Sequence, residues 1–290
     1  MSQTAPVTVV IPAYNAADYL GVTLEALQGQ TTPPERVIVV DDGSIDGTIG
    51  VANSMGVEVV SQEQRGPGAA RNRALEMADT EFVAFCDADD WFVSDKLERD
   101  VRKLDELGAA CLASDAWIVR GDRVDGRKNE QRVVPSVITE EALLQGNPII
   151  CSTVTARREA VLAAGCFNEA RELIATEDYD LWLRMAAREP IAYSNHPMSF
   201  YRVHSASLSG NERFMNGVEH ILLGVAERHA GEPHHLNLIR RRRADVRLDY
   251  AYELIGQGRH KEAAALVQEA QRIKPTWKGF KMRLRTLLRL

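Results

Sequence analysis

Three carboxylates within four positions, Asp87-Ala88-Asp89-Asp90, follow directly on the apolar run Phe82–Cys86. Like charges packed this closely repel one another. Such a group persists when it binds a hard cation or caps a helix. Mg²⁺ favours one or two carboxylates plus phosphate oxygens over a cage made wholly of protein. A short acidic loop at a strand end therefore suits a metal–diphosphate complex. An N-cap and turn leading into Trp91-Phe92, with Asp95 as a second cap, accounts for the same residues structurally. Asp41-Asp42-Gly43-Ser44 ends another apolar run. Asp-Gly is a common turn pair, and a carboxylate there can also accept hydrogen bonds from a base or ribose. Asp46 and Thr48 read as the start of the helix that follows.

The loop Gly66-Pro67-Gly68-Ala69-Ala70-Arg71 nearly reads GxGxxG, with Arg71 where the last glycine belongs. That glycine permits close helix–strand packing in dinucleotide folds, so Arg71 argues against a nicotinamide enzyme. It fits an anion-binding helix start with a cation nearby. No GxxxxGK[ST] sequence occurs, which argues against a P-loop enzyme. In Thr176-Glu177-Asp178-Tyr179-Asp180-Leu181-Trp182 the acids occupy the first turn of a predicted helix, where the helix dipole favours them. The same placement presents a general base. Tyr201-Arg202-Val203-His204 closes a strand-like run from Met198, and His204 is either structural or a metal ligand through neutral imidazole.

Most of these residues need a scaffold that brings strand ends together. Val7–Ile11, Arg36–Val40, Val57–Val60 and Phe82–Cys86 are apolar runs read as strands. Helical patterns separate them: one carrying Tyr19, Leu20, Leu24 and Leu27, one over 47–55, one over 69–78. A further helix is expected over 95–107. Strands apolar on both faces belong in a parallel sheet, and their alternation with helices implies βαβ units. In such sheets ligands bind beyond the carboxyl ends of the strands. Segments 12–15, 41–46 and 87–90 each follow a strand, so chain logic puts them on one edge. Residues 110–210 are less regular, with a surface hairpin or loop expected over 120–131. After 211 the pattern is helical, and 248–274 reads as a helix pair broken at Gly256-Gln257-Gly258. That pair resembles one tetratricopeptide-type repeat, too few for a solenoid, and is expected to cap the body.

The 290 residues are 45% hydrophobic and 26% charged, ordinary for a globular protein. The net charge of −6 is unevenly spread. Residues 240–290 hold 14 basic and 5 acidic side chains, against 21 and 36 in residues 1–239. An acidic body argues against nucleic-acid binding. Cys86, Cys111, Cys151 and Cys166 show no metal-ligand spacing and read as packed thiols. No signal peptide is evident, and no apolar stretch reaches the ~20 residues of a membrane span. A cytoplasmic location is expected. The segment 274–290 alternates Lys or Arg with apolar residues and offers either peripheral contact with the inner membrane face or a plain docked helix.

Together the segments resemble the family 2 glycosyltransferases of GT-A fold. The resemblance covers about residues 6–210 and rests on order and spacing. It runs through Val9-Val10-Ile11-Pro12-Ala13-Tyr14-Asn15, Val39-Val40-Asp41-Asp42-Gly43-Ser44 and Gly68-Ala69-Ala70-Arg71-Asn72. It continues through Asp87-Ala88-Asp89-Asp90, Gly165-Cys166-Phe167-Asn168-Glu169, Glu177-Asp178 and Tyr201-Arg202-Val203-His204. It implies an α/β GT-A domain over 1–210, with a nucleotide-sugar half (1–109) and an acceptor half (110–210), and a helical extension over 211–290. It implies that Pro12, Ala13, Tyr14, Asn15, Asp41, Asp42, Gly68 and Arg71 line a nucleotide pocket, with Asp42 near the base. Asp87-Ala88-Asp89 looks like the family's DxD motif. Asp89 is then the best ligand for Mn²⁺ or Mg²⁺, Asp87 or Asp90 lies near ribose and phosphate, and His204 completes the metal site. Asp178 matches the catalytic base, with Glu177 beside it. The implied activity is inverting transfer of one sugar from a nucleotide-diphosphate sugar to a glycan or lipid-linked acceptor hydroxyl, in cell-surface or extracellular glycan synthesis. The QxxRW motif of processive synthases is absent. The oligomeric state stays open.

Two other readings remain. A nucleotidyltransferase shares the sheet and acidic ligands but usually carries a Gly-rich, basic signature near the first strand, which Pro12-Ala13-Tyr14-Asn15 lacks. A non-catalytic nucleotide-sugar-binding protein would not need the full acidic set.

Overall fold

The computed structural model describes residues 4–204 and 212–288, with side chains to 283. It divides into two units. The first comprises the chain through Glu140, Pro148–Arg171 and the segment from Asp180 through His204. The second comprises Glu141–Asn147, Glu172–Tyr179 and the helices from 212 onward.

The first unit opens with β1 (Ala5–Ala13), α1 (Leu20–Gln28), β2 (Pro34–Asp41), α2 (Thr48–Ser54), β3 (Glu58–Ser61), α3 (Pro67–Met77) and β4 (Phe82–Phe85). Every expected element of this half forms, with ends shifted by at most two residues. β1 pairs in parallel with β2 and β4, and β2 with β3. Their inward residues Val7, Val9, Ile11, Val39, Phe82 and Ala84 share one core with Leu20, Leu24 and Leu27 of α1. Ala13 is level with Asp41, and Asp41 with Ser61. The Cys86 N–H donates to Val10 O. The loops after β1, β2, β3 and β4 thus leave the sheet at one edge.

The second half, less regular in sequence, adds antiparallel pairs to the sheet. It contains β5 (Trp91–Phe92), α4 (Lys96–Leu107), β6 (Cys111–Arg120), β7 (Arg123–Arg127), β8 (Val137–Ile138), α5 (Glu140–Gln145), β9 (Thr155–Arg157), α6 (Arg158–Ala163), α7 (Glu177–Ala186) and β10 (Ile191–Arg202). The strand order is β3-β2-β1-β4-β9-β6-β10-β5, with β7 on β6 and β8 on β10. β9 lies antiparallel between β4 and β6, while β6 and β10 pair in parallel. The expected hairpin over 120–131 is the antiparallel β6–β7 pair. Two-residue β5 pairs antiparallel with Ser199-Phe200 of β10, a short strand the apolar pattern does not reveal.

Asp95 stands at the start of α4 but makes no capping bond. It pairs with Arg99 one turn on, so the expected second cap is an ion pair instead. Cys86, Cys111 and Cys151 are buried cysteines, Cys166 is partly exposed, and burial pushes the Cys86 thiol well up.

In the second unit, α8 (Glu212–Arg228), α9 (Pro233–Gly256), α10 (His260–Ile273) and α11 (Trp277–Leu288) follow in order. Gly258, at φ +75°, turns α9 into α10. Ala244, Leu248, Ala251, Ala263, Val267, Ala270 and Met282 form a core shared by α9, α10 and α11. No helix among the described residues is long and apolar enough to cross a membrane.

Candidate functional site

The loops after β1 and β2 lock together. The Asp42 N–H donates to Ala13 O. The Asn15 N–H donates to Ser44 Oγ at 2.8 Å, and the Ile45 N–H to Asn15 Oδ1 at 3.0 Å. Asn15 sits at φ 49°, a left-handed conformation asparagine tolerates. The Tyr14 ring beside it is 48% exposed. Asp46 Oδ1 accepts from the Thr48 N–H and hydroxyl, starting α2 as its position suggested.

Asp42 does something the sequence does not show. Its buried carboxylate accepts from Gln62 Nε2 (2.7 Å), the Arg65 N–H (2.8 Å) and the Gly66 N–H (2.7 Å). Gly66, at φ +97°, immediately precedes α3, so Asp42 holds the backbone that leads into that helix. Gly68 lies buried in the first turn of α3. Arg71 is buried, donates to Asp87 Oδ1 at 2.6 Å, and lies 5.2 Å from the Phe167 ring centroid. Asn72 bonds both the N–H and carbonyl of Phe167. Those bonds fasten the Gly165–Glu169 segment to α3.

The three aspartates after β4 face different surroundings. Asp90 is 0% exposed. Its Oδ2 accepts from Ser152 Oγ at 2.5 Å and its Oδ1 from the Arg202 N–H at 2.9 Å. Burial, then the Asp89 and Asp87 charges, raise its pKa well above the carboxylate range. A wholly buried carboxyl with both oxygens engaged is a strut between loop and β10, so Asp90 leaves the expected ligand set. Asp87 is engaged by Arg71. Asp89 remains, 30% exposed at its side chain, with Oδ2 2.7 Å from His204 Nε2. Burial and then Asp87 raise the Asp89 pKa, against the opposing bond to His204.

The β5–β10 pairing brings His204 there. It sets the chain after Asp90 beside Ser199-Phe200 and lets Arg202 reach back. Arg202 Nε donates to Asp89 O at 3.1 Å. Its guanidinium lies between two rings, 5.1 Å from the Tyr19 centroid and 4.8 Å from that of Trp91. Tyr19 stacks on His204 at 5.3 Å. Tyr19, Trp91, Ser152 and Arg202 are site residues that sequence reasoning missed or left without a role. Tyr19 read as one more residue of a helix face, yet it faces the site.

One carboxylate oxygen and one imidazole nitrogen meet at a partly exposed edge, and both are donor types that a divalent cation accepts. Such a pair leaves positions for phosphate oxygens and water, and the imidazole favours Mn²⁺ over Mg²⁺.

Glu177 and Asp178 belong to the second unit. Glu177 is buried, and Asp178 Oδ1 accepts from the Tyr179 N–H at 2.7 Å at the start of α7. Tyr179 OH donates to Leu143 O at 2.9 Å. Immediately before them, Ala175 holds φ +83°, and the Thr176 N–H and hydroxyl both bond Leu173 O.

The sequence model of Glycosyl transferase family 2 matches residues 8–165, more than half the chain. The chain belongs to glycosyl transferase family 2. A relative of this family is the Escherichia coli enzyme UDP-Glc:alpha-D-GlcNAc-diphosphoundecaprenol beta-1,3-glucosyltransferase WfaP. It is 29% identical over 211 residues, covering 71% of this chain and 80% of the relative. The fold is that of GT-A glycosyltransferases. S. aureus TarS 1–349 superposes with a TM-score of 0.66 at 20% identity, over 97% of this chain and 91% of its own. The mannosyltransferase PcManGT from Pyrobaculum calidifontis, in complex with GDP-Man and Mn²⁺, superposes with a TM-score of 0.59 at 20% identity, over 99% and 81%.

Proposed function

We propose that this family 2 chain is an inverting glycosyltransferase that moves one sugar from a nucleotide-diphosphate sugar to an acceptor hydroxyl. The observation that carries the reading is the convergence of Asp89 and His204 at the sheet edge where the loops after β1, β2 and β4 emerge. The nucleotide lies along that edge, with Pro12, Ala13 and the exposed Tyr14 ring beside the base. Asp41 and Asn15 shape the same loops. Asp42 acts by holding the 62–66 segment in place, and Arg71 by fixing Asp87 toward the ribose and phosphate side.

Asp89 and His204 would hold Mn²⁺ or Mg²⁺, which when bound neutralises the leaving diphosphate as a Lewis acid. Asp178 accepts the proton of the acceptor hydroxyl, with Glu177 beside it. The hydroxyl oxygen attacks the anomeric carbon on the face opposite the nucleotide. The bond from that carbon to the diphosphate breaks, and the nucleoside diphosphate departs with the electron pair. The products are that diphosphate and an acceptor glycosylated with inverted configuration. The name of WfaP, a glucosyltransferase acting from UDP-Glc onto GlcNAc-diphosphoundecaprenol, supports a lipid-linked sugar as acceptor, and that of a second relative, the putative teichuronic acid biosynthesis glycosyltransferase TuaG of Bacillus subtilis, supports a place in cell-surface glycan synthesis.

The test is Asp178→Asn, assayed by nucleoside diphosphate release with a lipid-diphosphate-linked sugar as acceptor. Removing a general base costs about 10²–10⁴-fold in rate, so turnover should fall by that factor while donor affinity changes little. Near-normal turnover would refute the assignment.

A further inference from the structure

The helix α11 presents two unlike faces within the second unit. One is docked. Met282 is buried in the cluster formed with Ala244, Leu248, Ala263 and Val267 of α9 and α10. Gly279 is buried beside it, where an added Cβ would collide with the Gln271 side chain. Gln271 also fixes the helix start, accepting from the Thr276 N–H at 3.1 Å and donating to Thr276 O at 2.9 Å.

The other face is open and apolar at its centre. Trp277 is 69% exposed and Phe280 49% exposed, with rings stacked 5.3 Å apart at 16°. Lys281 Nζ lies 5.6 Å over the Trp277 ring. Positions 277, 280 and 281 fall on one side of a helix, and the sequence repeats that spacing with Leu284 and Leu288. Large rings held in water are unfavourable unless something covers them, and Trp is suited to a surface apolar on one side and wet on the other.

Charge says what covers them. After Glu269 the chain has no acidic residue and seven basic ones: Arg272, Lys274, Lys278, Lys281, Arg283, Arg285 and Arg289. Residues 1–239 are strongly acidic, so an anionic surface would repel them and attract this segment. Lys278 is tied to Asp249 at 2.6 Å, which leaves Lys281 as the cation set directly on the aromatic pair.

We propose that α11 docks the protein on an anionic lipid surface, with Trp277 and Phe280 entering the headgroup boundary and Lys281 meeting lipid phosphates. The docked and membrane-facing roles of this segment are thus two faces of one helix. The inference does not depend on the role of Asp178.

The experiment is sedimentation of the full chain with vesicles of phosphatidylcholine alone, or with about one-third phosphatidylglycerol, at low and high salt. Wild type should partition onto the anionic vesicles and lose most of that binding at high salt. Trp277→Ser with Phe280→Ser should weaken partitioning by about tenfold or more. Lys281→Glu, at an exposed position, should weaken it by at least about fivefold, the contribution of one basic residue near an anionic leaflet. Far-UV circular dichroism checks that each variant is folded. Three results would overturn the proposal: wild type failing to bind anionic vesicles, either folded variant binding as wild type does, or the aromatic variant dissolving a self-association that wild type shows by gel filtration.

Discussion

Asp89 Oδ2 and His204 Nε2 meet at 2.7 Å although 115 positions separate them in the chain. The β5–β10 pairing and the bond from the Arg202 N–H to Asp90 Oδ1 set that meeting. The histidine is thus positioned by the same loop that carries the carboxylate. His204→Ala is expected to weaken Mn²⁺-dependent nucleotide binding by at least roughly tenfold, the lower end of what partners of a metal ligand contribute. Calorimetric titration of Mn²⁺ in the presence of a nucleoside diphosphate measures it. An unchanged affinity would remove His204 from the ligand set.

Lys96 is buried with Asp100, one turn along α4, and also donates to Thr153 O at 3.0 Å. The Thr155 hydroxyl donates to the same Asp100 oxygen at 2.7 Å. The pair braces α4 against the residues leading into β9. Removing one partner strands a buried charge, so Lys96→Met should destabilise by about 3–5 kcal/mol. Lys96→Met combined with Asp100→Leu should recover most of that loss, because apolar side chains replace a buried ion pair at little cost. Chemical denaturation of both singles and the double variant reads the coupling. Additive losses would show that the two side chains do not act as a pair.

Glu219 on α8 receives Arg243 at 2.5 Å and Arg247 at 2.7 Å from α9. Burial would raise its pKa, but the bonds from Arg247 and Arg243 outweigh it and hold the carboxyl below its ordinary 4.5. A depressed folded pKa means stability that is present above pH 4.5 and lost as pH falls from there through the folded value. Glu219→Gln should therefore cost about 1–2 kcal/mol at neutral pH, with the deficit shrinking below pH 4.5. Thermal unfolding across that range checks it, and a deficit independent of pH would contradict it.

Much of the site's address was legible because it depends on local pattern. Apolar runs that give way at Pro12, Asp41 and Asp87 mark strand ends to within two residues, and parallel strands put those ends on one edge. What stayed hidden depends on distant partners. Asp90 reads like its neighbours Asp87 and Asp89, and only Ser152 and Arg202 turn it into a buried strut. Asp42 reads as a turn residue or a base contact, and only the backbone of Arg65 and Gly66 shows that it anchors a loop. The antiparallel entry of β9 escaped because a three-residue strand has too few positions to show alternation. Tyr19 was visible as a helix residue, but its stacking on His204 needed the path of β10.

The most direct measurement is a thermal-shift screen of the full chain with UDP-, GDP- and dTDP-sugars, each with and without Mn²⁺ or Mg²⁺. Ligand at about a hundredfold excess over Kd adds about 2.7 kcal/mol, which amounts to a rise in Tm of several degrees. At least one nucleotide sugar should give that rise only when metal is present, and Asp89→Ala should abolish it. No stabilisation by any of the three, with either metal, would contradict the account.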